Sequence, residues 1–142
     1  MKLSLNRSST YSVRAYGPGQ ITLAIPERDR AGPSTDDAGT VLHGTEVVTT
    51  SLILSAEHII ADWPPQRWDE VREEHFEAVL ALEPELILFG SGANLRLPPV
   101  ALVRDVNARG IGLETMDTAA ACRTFNILVA EGRHVVAALL MI

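Results

Sequence analysis

The carboxyl-terminal segment constrains the fold of this chain most, because strand, capped-helix and strand signals follow one another closely there. Gly112–Met116 has the length and composition of a strand, and Asp117 or Thr118 is suited to cap the helix that follows. That helix is apolar on nearly every side and ends at Gly132, a residue type that favours the left-handed conformation after a helix. The strand His134–Met141 completes a unit typical of α/β proteins.

The rest of the chain predicts the order β-β-β-α-β-α-β-α-β. Strands that alternate with helices indicate an α/β sheet with helices on its faces, and the early strands are expected to form an antiparallel addition. We predict a single domain, 1–142, in which residues 1–19 are a loose leader and residues 27–46 a long exposed loop. The other predicted elements are strands Ile21–Ile25, Val47–Leu54, His58–Trp63 and Glu85–Phe89, and helices Trp68–Leu82 and Pro98–Arg109.

Three polar side chains interrupt the apolar pattern of the last unit: Glu114 in the strand, and Arg123 and Asn126 in the helix. A polar group that is buried without a partner costs roughly 2–7 kcal/mol. We therefore predict a structural polar network of these three residues, in which Arg123 pairs with Glu114 or Asp117 in the interior. The alternative is that Arg123 recognises a ligand, because a guanidinium binds carboxylates and phosphates in bidentate geometry. The Ile127 side of the helix is predicted to contact a partner or a second copy.

A second candidate site is the loop that follows the predicted buried strand Glu85–Phe89. Open α/β sheets bind ligands beyond the carboxyl ends of their strands, so this loop predicts a ligand crevice with residues from the neighbouring strand end. The loop lacks the Gly-Lys-Ser/Thr of a P-loop and the third glycine of a dinucleotide fingerprint. A purely structural glycine turn is the alternative. The residues of the candidate crevice are Gly90, Ser91, Gly92, Asn94, Asp117, Thr118 and Arg123.

The charge and composition of the chain argue against several classes of function. The formal net charge is −6, and no cluster of lysines or arginines offers the basic face that nucleic acids require. No apolar run approaches the roughly 18–20 residues that span a bilayer, and the first residues lack the apolar core of a secretory signal. We therefore predict no nucleic-acid partner, no direct membrane insertion and a cytoplasmic location, or a mitochondrial one if the chain were eukaryotic.

The single cysteine and the four histidines do not predict a metal or redox centre. Cys122 lies on the apolar face of the last helix, so we predict a core residue, with a thiol switch as the alternative. The histidines lack the spacing of metal ligands, and we predict no metal and no cofactor. Trp63 and Trp68 either pack over the edge of the sheet or anchor a partner.

Several blocks of the sequence form a pattern that is similar to a known family. The most specific block is Arg109–Asn126, and the others are Ser51–Leu54, Ala61–Trp63, Pro84–Gly92, Leu97–Pro99 and Ala130–Arg133. With these blocks the chain resembles the Mth-domain family, whose biochemical function is not established. The resemblance covers nearly the whole chain, from about residue 11 to residue 142.

The resemblance implies a three-layer β+α/β/α fold around a mixed sheet of about five strands. The family includes bacterial proteins of this size, a mitochondrial assembly factor for respiratory complex I and an adipogenesis-associated protein. It implies no established enzyme activity, and no catalytic residues are transferred from it. The chain departs from the family pattern at residues 27–46, where the resemblance implies a short hairpin turn.

Two functions compete on these observations. We favour a non-enzymatic interaction or assembly protein that binds a protein partner or itself, because no catalytic constellation is recognisable and the last helix is unusually apolar. The alternative is a small-molecule binder or enzyme that uses the crevice formed by Gly90–Asn94 and Asp117–Arg123. We expect the chain not to be an enzyme.

Overall fold

A computed structural model describes residues 9–26, 29, 34–35, 41–42 and 44–142. Within these residues, ten strands, three α-helices and two 3₁₀ turns follow one another along the chain. The strands are β1 Ser12–Gly17, β2 Gln20–Ala24, β3 Ser34–Thr35, β4 Val41–Leu42, β5 Thr45–Val48, β6 Leu52–Ser55, β7 Ile59–Ile60, β8 Leu86–Gly90, β9 Gly112–Met116 and β10 Val135–Leu139. The helices are α1 Glu77–Leu80, α2 Val100–Ala108 and α3 Thr118–Ala130, and the 3₁₀ turns are Trp68–Glu70 and Glu73–Phe76.

The central sheet has five strands in the order β7-β6-β10-β8-β9. β8 runs parallel to both β10 and β9, whereas β6 is antiparallel to β10 and β7. Strands that are buried on both faces carry continuous apolar runs, and β8 and β10 have this composition at the middle of the sheet. The α/β class predicted from the sequence and the mixed five-stranded sheet implied by the family resemblance are both confirmed.

Side chains of β10 alternate between two hydrophobic cores, one on each face of the central sheet. Val135, Ala137 and Leu139 belong to the core that contains α3, whereas Val136 and Ala138 face the core that contains α2 and the 3₁₀ turns. A separate three-stranded antiparallel sheet, β1-β2-β5, covers the outer side of the α3 layer. The arrangement is the three-layer sandwich that the family resemblance implies.

Helix α3 is apolar on several sides because it is packed between two sheets. It contacts β8 and β10 of the central sheet and β1 of the smaller sheet. Cys122, Phe125 and Val129 are buried in the core between them, so the early strands provide the cover that the composition requires. Ile127 remains 58% exposed on the side that neither sheet reaches.

The first part of the chain differs from the prediction. The leader predicted for residues 1–19 contains β1, Ser12–Gly17, which pairs with β2 through the predicted turn that ends at Gly19. The predicted strand Val47–Leu54 is two strands, because the chain leaves the small sheet after Val48 and enters the central sheet at Leu52. In the predicted 27–46 loop, β3 pairs with β4 and β5 begins at Thr45; most of that loop lies outside the described residues.

The predicted helix Trp68–Leu82 is wrong as a continuous element. Val71 and Arg72 have extended backbone conformations, so the segment consists of two 3₁₀ turns and the short helix α1. The Nδ1 atom of His75 accepts a hydrogen bond from the Arg72 backbone nitrogen at 2.9 Å and caps the second turn. This side-chain bond competes with the helical hydrogen bond, while the buried Val71 and Phe76 keep the apolar periodicity.

Candidate functional site

Thr118 holds together the carboxyl end of the central sheet, where the sequence predicts a crevice. Its hydroxyl donates to the Leu140 carbonyl at 2.6 Å and accepts from the Gly92 backbone nitrogen at 2.8 Å. The Thr118 backbone nitrogen donates to the Gly92 carbonyl at 2.9 Å. Because Thr118 is fully buried, its hydroxyl links the start of α3 to the chain segments that follow β8 and β10.

Ser91 organises the loop that follows β8 in a similar way. Its hydroxyl donates to the Asn94 carbonyl at 2.7 Å and accepts from the Arg96 backbone nitrogen at 2.9 Å. Its backbone nitrogen donates to the Met116 carbonyl at the end of β9, at 3.0 Å. Ser91 is only 4% exposed, so its polar groups are engaged inside the protein rather than presented to solvent.

Gly90 lies at a close approach of α3 to β8. A Cβ atom at this position would lie 2.8 Å from Cδ2 of Leu139, 3.0 Å from the hydroxyl of Thr118 and 3.2 Å from Cβ of Ala121. These distances are shorter than the roughly 3.5–4.0 Å at which carbon atoms pack favourably. A glycine here therefore permits the close packing of the helix on the strand.

Asp117 caps α3 and occupies the end of the helix to which an anion would bind. Its Oδ1 atom accepts from the Ala120 backbone nitrogen at 2.8 Å. A carboxylate at this place repels an anionic ligand. The structure thus brings Gly90, Ser91, Gly92 and Thr118 of the predicted crevice together with Asp117, and their polar contacts favour the structural alternative. A ligand at these residues, or at Asn94, stays a prediction.

The predicted interior pair of Glu114 and Arg123 is wrong, because both residues are exposed. Glu114 lies on β9, which is an edge strand of the central sheet. Charged side chains on edge strands disfavour pairing with the edge of another sheet, and this accounts for an acid in an otherwise apolar strand. Glu114 therefore protects an edge rather than neutralising a buried arginine.

Arg123 instead contacts Tyr16 of β1. A terminal nitrogen of Arg123 donates to the Tyr16 hydroxyl at 2.6 Å, and the guanidinium carbon lies 5.9 Å from the ring centroid. The hydrogen bond to Tyr16 is the main cause that raises the pKa of Arg123 above its ordinary value. This pair ties the exposed side of α3 to the small sheet, and Tyr16 itself is 38% exposed.

Asn126 is the member of the predicted network that has a clear structural partner. Its Oδ1 atom accepts from the Val13 backbone nitrogen and its Nδ2 atom donates to the Val13 carbonyl, both at 2.8 Å. The register of β1 shifts between Val13 and Ala15, so the amide satisfies backbone groups at an irregularity of the strand. Sequence alone identified a polar residue that needs a partner but did not identify the backbone of β1 as that partner.

Cys122 is fully buried in the core between the two sheets. Burial raises the pKa of its thiol to about 12, although the neighbouring Arg123 acts in the opposite direction. A thiol in this state is a poor nucleophile because the thiolate is the reactive form. These features favour the core interpretation of Cys122 over a thiol switch.

An open cavity of about 330 Å³ lies near the start of β10, at the opposite end of that strand from the predicted crevice. Two histidines line it, and Nε2 of His134 is 2.7 Å from the Leu82 carbonyl. The part of the chain that the structure describes contains no group of three or more His, Cys, Asp or Glu residues able to hold a metal ion. The lining residues are Ser55, Ala56, Glu57, His58, Ala81, Leu82, Glu83 and His134.

The most distinctive surface feature is a group of large exposed apolar side chains beside the loop after β8. We call Trp68, Leu95, Leu97 and Val100 the Leu97 surface. Their exposed fractions are 41%, 60%, 72% and 66%, respectively. Isolated apolar residues are common on protein surfaces, but several that are adjacent are typical of interaction sites. Trp68 was a candidate anchor from the sequence, whereas Leu95, Leu97 and Val100 were not, although the run Leu-Arg-Leu-Pro-Pro-Val in one loop was an available signal.

The Leu97 surface is held in place by specific contacts. The indole nitrogen of Trp68 donates to the Leu97 carbonyl at 2.7 Å, and the guanidinium carbon of Arg96 lies 5.3 Å from the Trp68 ring centroid. Ser91 fixes the Arg96 backbone nitrogen, as described above, and the buried Pro98 restricts the following chain. A surface whose conformation is fixed in advance loses less entropy when it binds.

Comparison with known proteins places this fold in a family. Residues 33–140 match the family model described as protein of unknown function (DUF498/DUF598). The chain belongs to this family. It is similar to the Bordetella pertussis protein whose solution structure is a Mth938-like domain, with 28% identity and a TM-score of 0.68 over 99% of this chain and 92% of that one. The Mth-domain resemblance found in the sequence is thereby confirmed.

Two relatives of named role or location are similar over shorter stretches. The 13 kDa major membrane protein of Francisella tularensis is 34% identical over 59% of this chain and 69% of that protein. The NADH dehydrogenase (ubiquinone) 1 alpha subcomplex assembly factor 3 of Bos taurus is 36% identical over 75% of this chain. The alignment spans only 58% of the length of that assembly factor. Across the described residues of the present chain, no helix has the length and apolar character needed to cross a membrane.

Proposed function

We propose that this chain is a non-enzymatic interaction domain with an assembly-type role, and that it binds a partner protein through the Leu97 surface. The observation that carries the proposal is that four large apolar side chains, each more than 40% exposed, lie in or beside one loop, whose backbone is held by Ser91 and Trp68. Interfaces depend on a few such anchors, and tryptophan is prominent among them. We also infer a cytoplasmic location, in keeping with the single cysteine of the chain.

Two further observations support an interaction role over a ligand-binding one. The polar groups of Ser91 and Thr118 at the carboxyl end of the sheet are already bonded within the protein. The relative from Bos taurus is named an assembly factor, and we infer from that name a role in binding other proteins. The Francisella tularensis relative has a membrane location in its name, and a protein can reach a membrane complex by binding a protein that belongs to it.

Affinity capture with matched variants tests the proposal. The wild-type chain, Leu97→Asp and Ile127→Asp are used as baits, and recovered proteins are then purified and titrated by calorimetry. Ile127 is a suitable control because it is similarly exposed, at 58% against 72% for Leu97, but lies on α3 away from this loop. Loss of a buried leucine contact is worth about 1.5–3 kcal/mol, so Leu97→Asp is expected to weaken binding by at least roughly tenfold.

The control fixes the interpretation of each outcome. A partner that binds Ile127→Asp as tightly as the wild type and loses affinity for Leu97→Asp supports the Leu97 surface. A partner that is unaffected by Leu97→Asp but lost with Ile127→Asp would move the interface to the exposed side of α3. Thermal unfolding of both variants shows whether either substitution has disturbed the fold.

A further inference from the structure

The chemistry of the residues beside the Leu97 surface indicates what kind of segment binds there. We propose that the docked segment of the partner is apolar and acidic, with carboxylates that pair with Arg96 and Arg104. This inference rests on the proposed function and adds the charge of the partner to it. Arg96 lies within the surface, between Leu95 and Leu97, and Arg104 follows Val100 by one helical turn.

Arg96 and Arg104 are exposed and form no ion pair with the residues that the structure describes. Arg109 and Arg133 are paired, at 3.0 Å from Asp105 and 2.9 Å from Glu85, whereas Arg14 and Arg72, like Arg96 and Arg104, form no ion pair with the described residues. The two positive charges beside the apolar surface are therefore available to an incoming carboxylate. Residues four apart on a helix share a face, so Arg104 lies on the same side of α2 as Val100.

The acidic residues Asp69 and Glu70 near Trp68 are bonded within their own turn and do not pair with Arg96 or Arg104. Asp69 and Glu70 lie 3.5 Å and 3.7 Å from Arg67, which balances part of their charge. The pKa of Glu70 is lowered, first by the Gln66 backbone nitrogen and then by Arg67, so this carboxylate is satisfied within its own turn. Carboxylates of a partner would meet Arg96 and Arg104 without having to displace an existing pair.

The small number of free arginines favours a short acidic protein segment over a larger polyanion. Two arginines are fewer than the roughly four to eight basic residues typical of sites for anionic lipid headgroups. The net charge of −6 also opposes long-range attraction to membranes and nucleic acids. A short apolar segment with a few carboxylates makes close contacts at the arginines, where the distant acidic residues are screened within about 10 Å at ordinary salt.

Selection from a random phage-displayed peptide library on the immobilised full chain tests the inference. We expect the selected peptides to combine apolar residues with Asp or Glu. Their affinity, measured by fluorescence polarisation, should fall roughly fivefold to thirtyfold for the double variant Arg96→Gln/Arg104→Gln, and should fall with added salt. Arg14→Gln is the matched control, because Arg14 is exposed on β1 in the small sheet.

The variants separate a failure of this inference from a failure of the proposed function. The inference is overturned if the peptides lack acidic residues, or if they lose affinity for Leu97→Asp but bind the double glutamine variant normally. In either case the Leu97 surface is still the docking site. Peptides that bind Leu97→Asp as well as the wild type, or the recovery of no binder, overturn both. Sedimentation with phosphatidylcholine–phosphatidylglycerol vesicles that depends on Leu97 would assign the surface to a membrane and also overturn the inference.

Discussion

Replacement of Thr118 by valine is expected to destabilise the protein strongly, although the side chain hardly changes shape. In the native protein the hydroxyl serves both the Leu140 carbonyl and the Gly92 nitrogen. Leu140 is 1% exposed and Gly92 is buried, so water cannot replace the lost bonds. Each orphaned buried group costs about 1–3 kcal/mol, and we expect Thr118→Val to lower the free energy of unfolding by about 2–5 kcal/mol.

Thr118→Ser is the matched control, because it retains the hydroxyl and removes only a buried methyl group. Its expected cost is about 1 kcal/mol. Urea unfolding followed by circular dichroism measures both variants, with equal m-values required for the comparison. If Thr118→Val were no less stable than Thr118→Ser, the hydroxyl would not hold this end of the sheet together. If Thr118→Val were more stable than the wild type, Thr118 would serve ligand binding at the expense of stability, as the predicted crevice requires.

Three further predictions concern other polar groups. Asn126→Leu leaves both backbone groups of Val13 without a partner and should cost about 2–4 kcal/mol in urea unfolding; a cost below about 0.5 kcal/mol would contradict the clamp on β1. Cys122, with a thiol pKa of about 12, should react with iodoacetamide at neutral pH only after unfolding, and native labelling would contradict its burial. The pKa of Glu85 is lowered from 4.5, chiefly by the hydrogen bond from the His134 backbone nitrogen. The stabilisation that the ionised Glu85 provides is therefore present above pH 4.5 and is lost as the pH falls further. Glu85→Gln should accordingly show a shallower decline of Tm in acid than the wild type.

The elements that the sequence predicted well carry their signals locally. Gly112–Met116 was predicted with the observed boundaries, and α3 begins immediately after the predicted cap Asp117. The central strand β8 was recognisable because a strand that is buried on both faces has a continuous apolar run. Such features depend on residues that are close together in the chain, so they can be predicted without knowledge of the tertiary structure.

The elements that were missed depend on distant contacts. β1 contains the exposed residues Arg14, Ala15 and Tyr16, so it lacks a clear alternation of apolar residues and is fixed by β2 and by Asn126. The break at Val71 in the first predicted helix also depends on three-dimensional contacts, because the apolar spacing there is compatible with a continuous helix. Apolar residues at helical spacing do not show that a side chain will cap the backbone and interrupt the helix.

The candidate site shows the same division between local and distant information. The sequence identified the residues at the carboxyl end of the sheet, but polar residues next to a strand end look alike whether they bind a ligand or one another. Leu95, Leu97 and Val100 looked like ordinary apolar residues, because their exposure is decided by what the rest of the fold leaves uncovered. Glu114 and Arg123 lie in largely apolar segments and were therefore expected to be buried, but the fold leaves both of them exposed.

Photo-crosslinking in the cells that produce the protein shows directly whether a partner binds at the Leu97 surface. The crosslinker p-benzoylphenylalanine is placed at position 97 in one variant and at position 127 in another, and adducts are identified by mass spectrometry. We expect a specific protein adduct from position 97 that is absent when Trp68 is replaced by alanine, and no adduct from position 127. An adduct from position 127 alone, or none from position 97 in a folded protein, would contradict it.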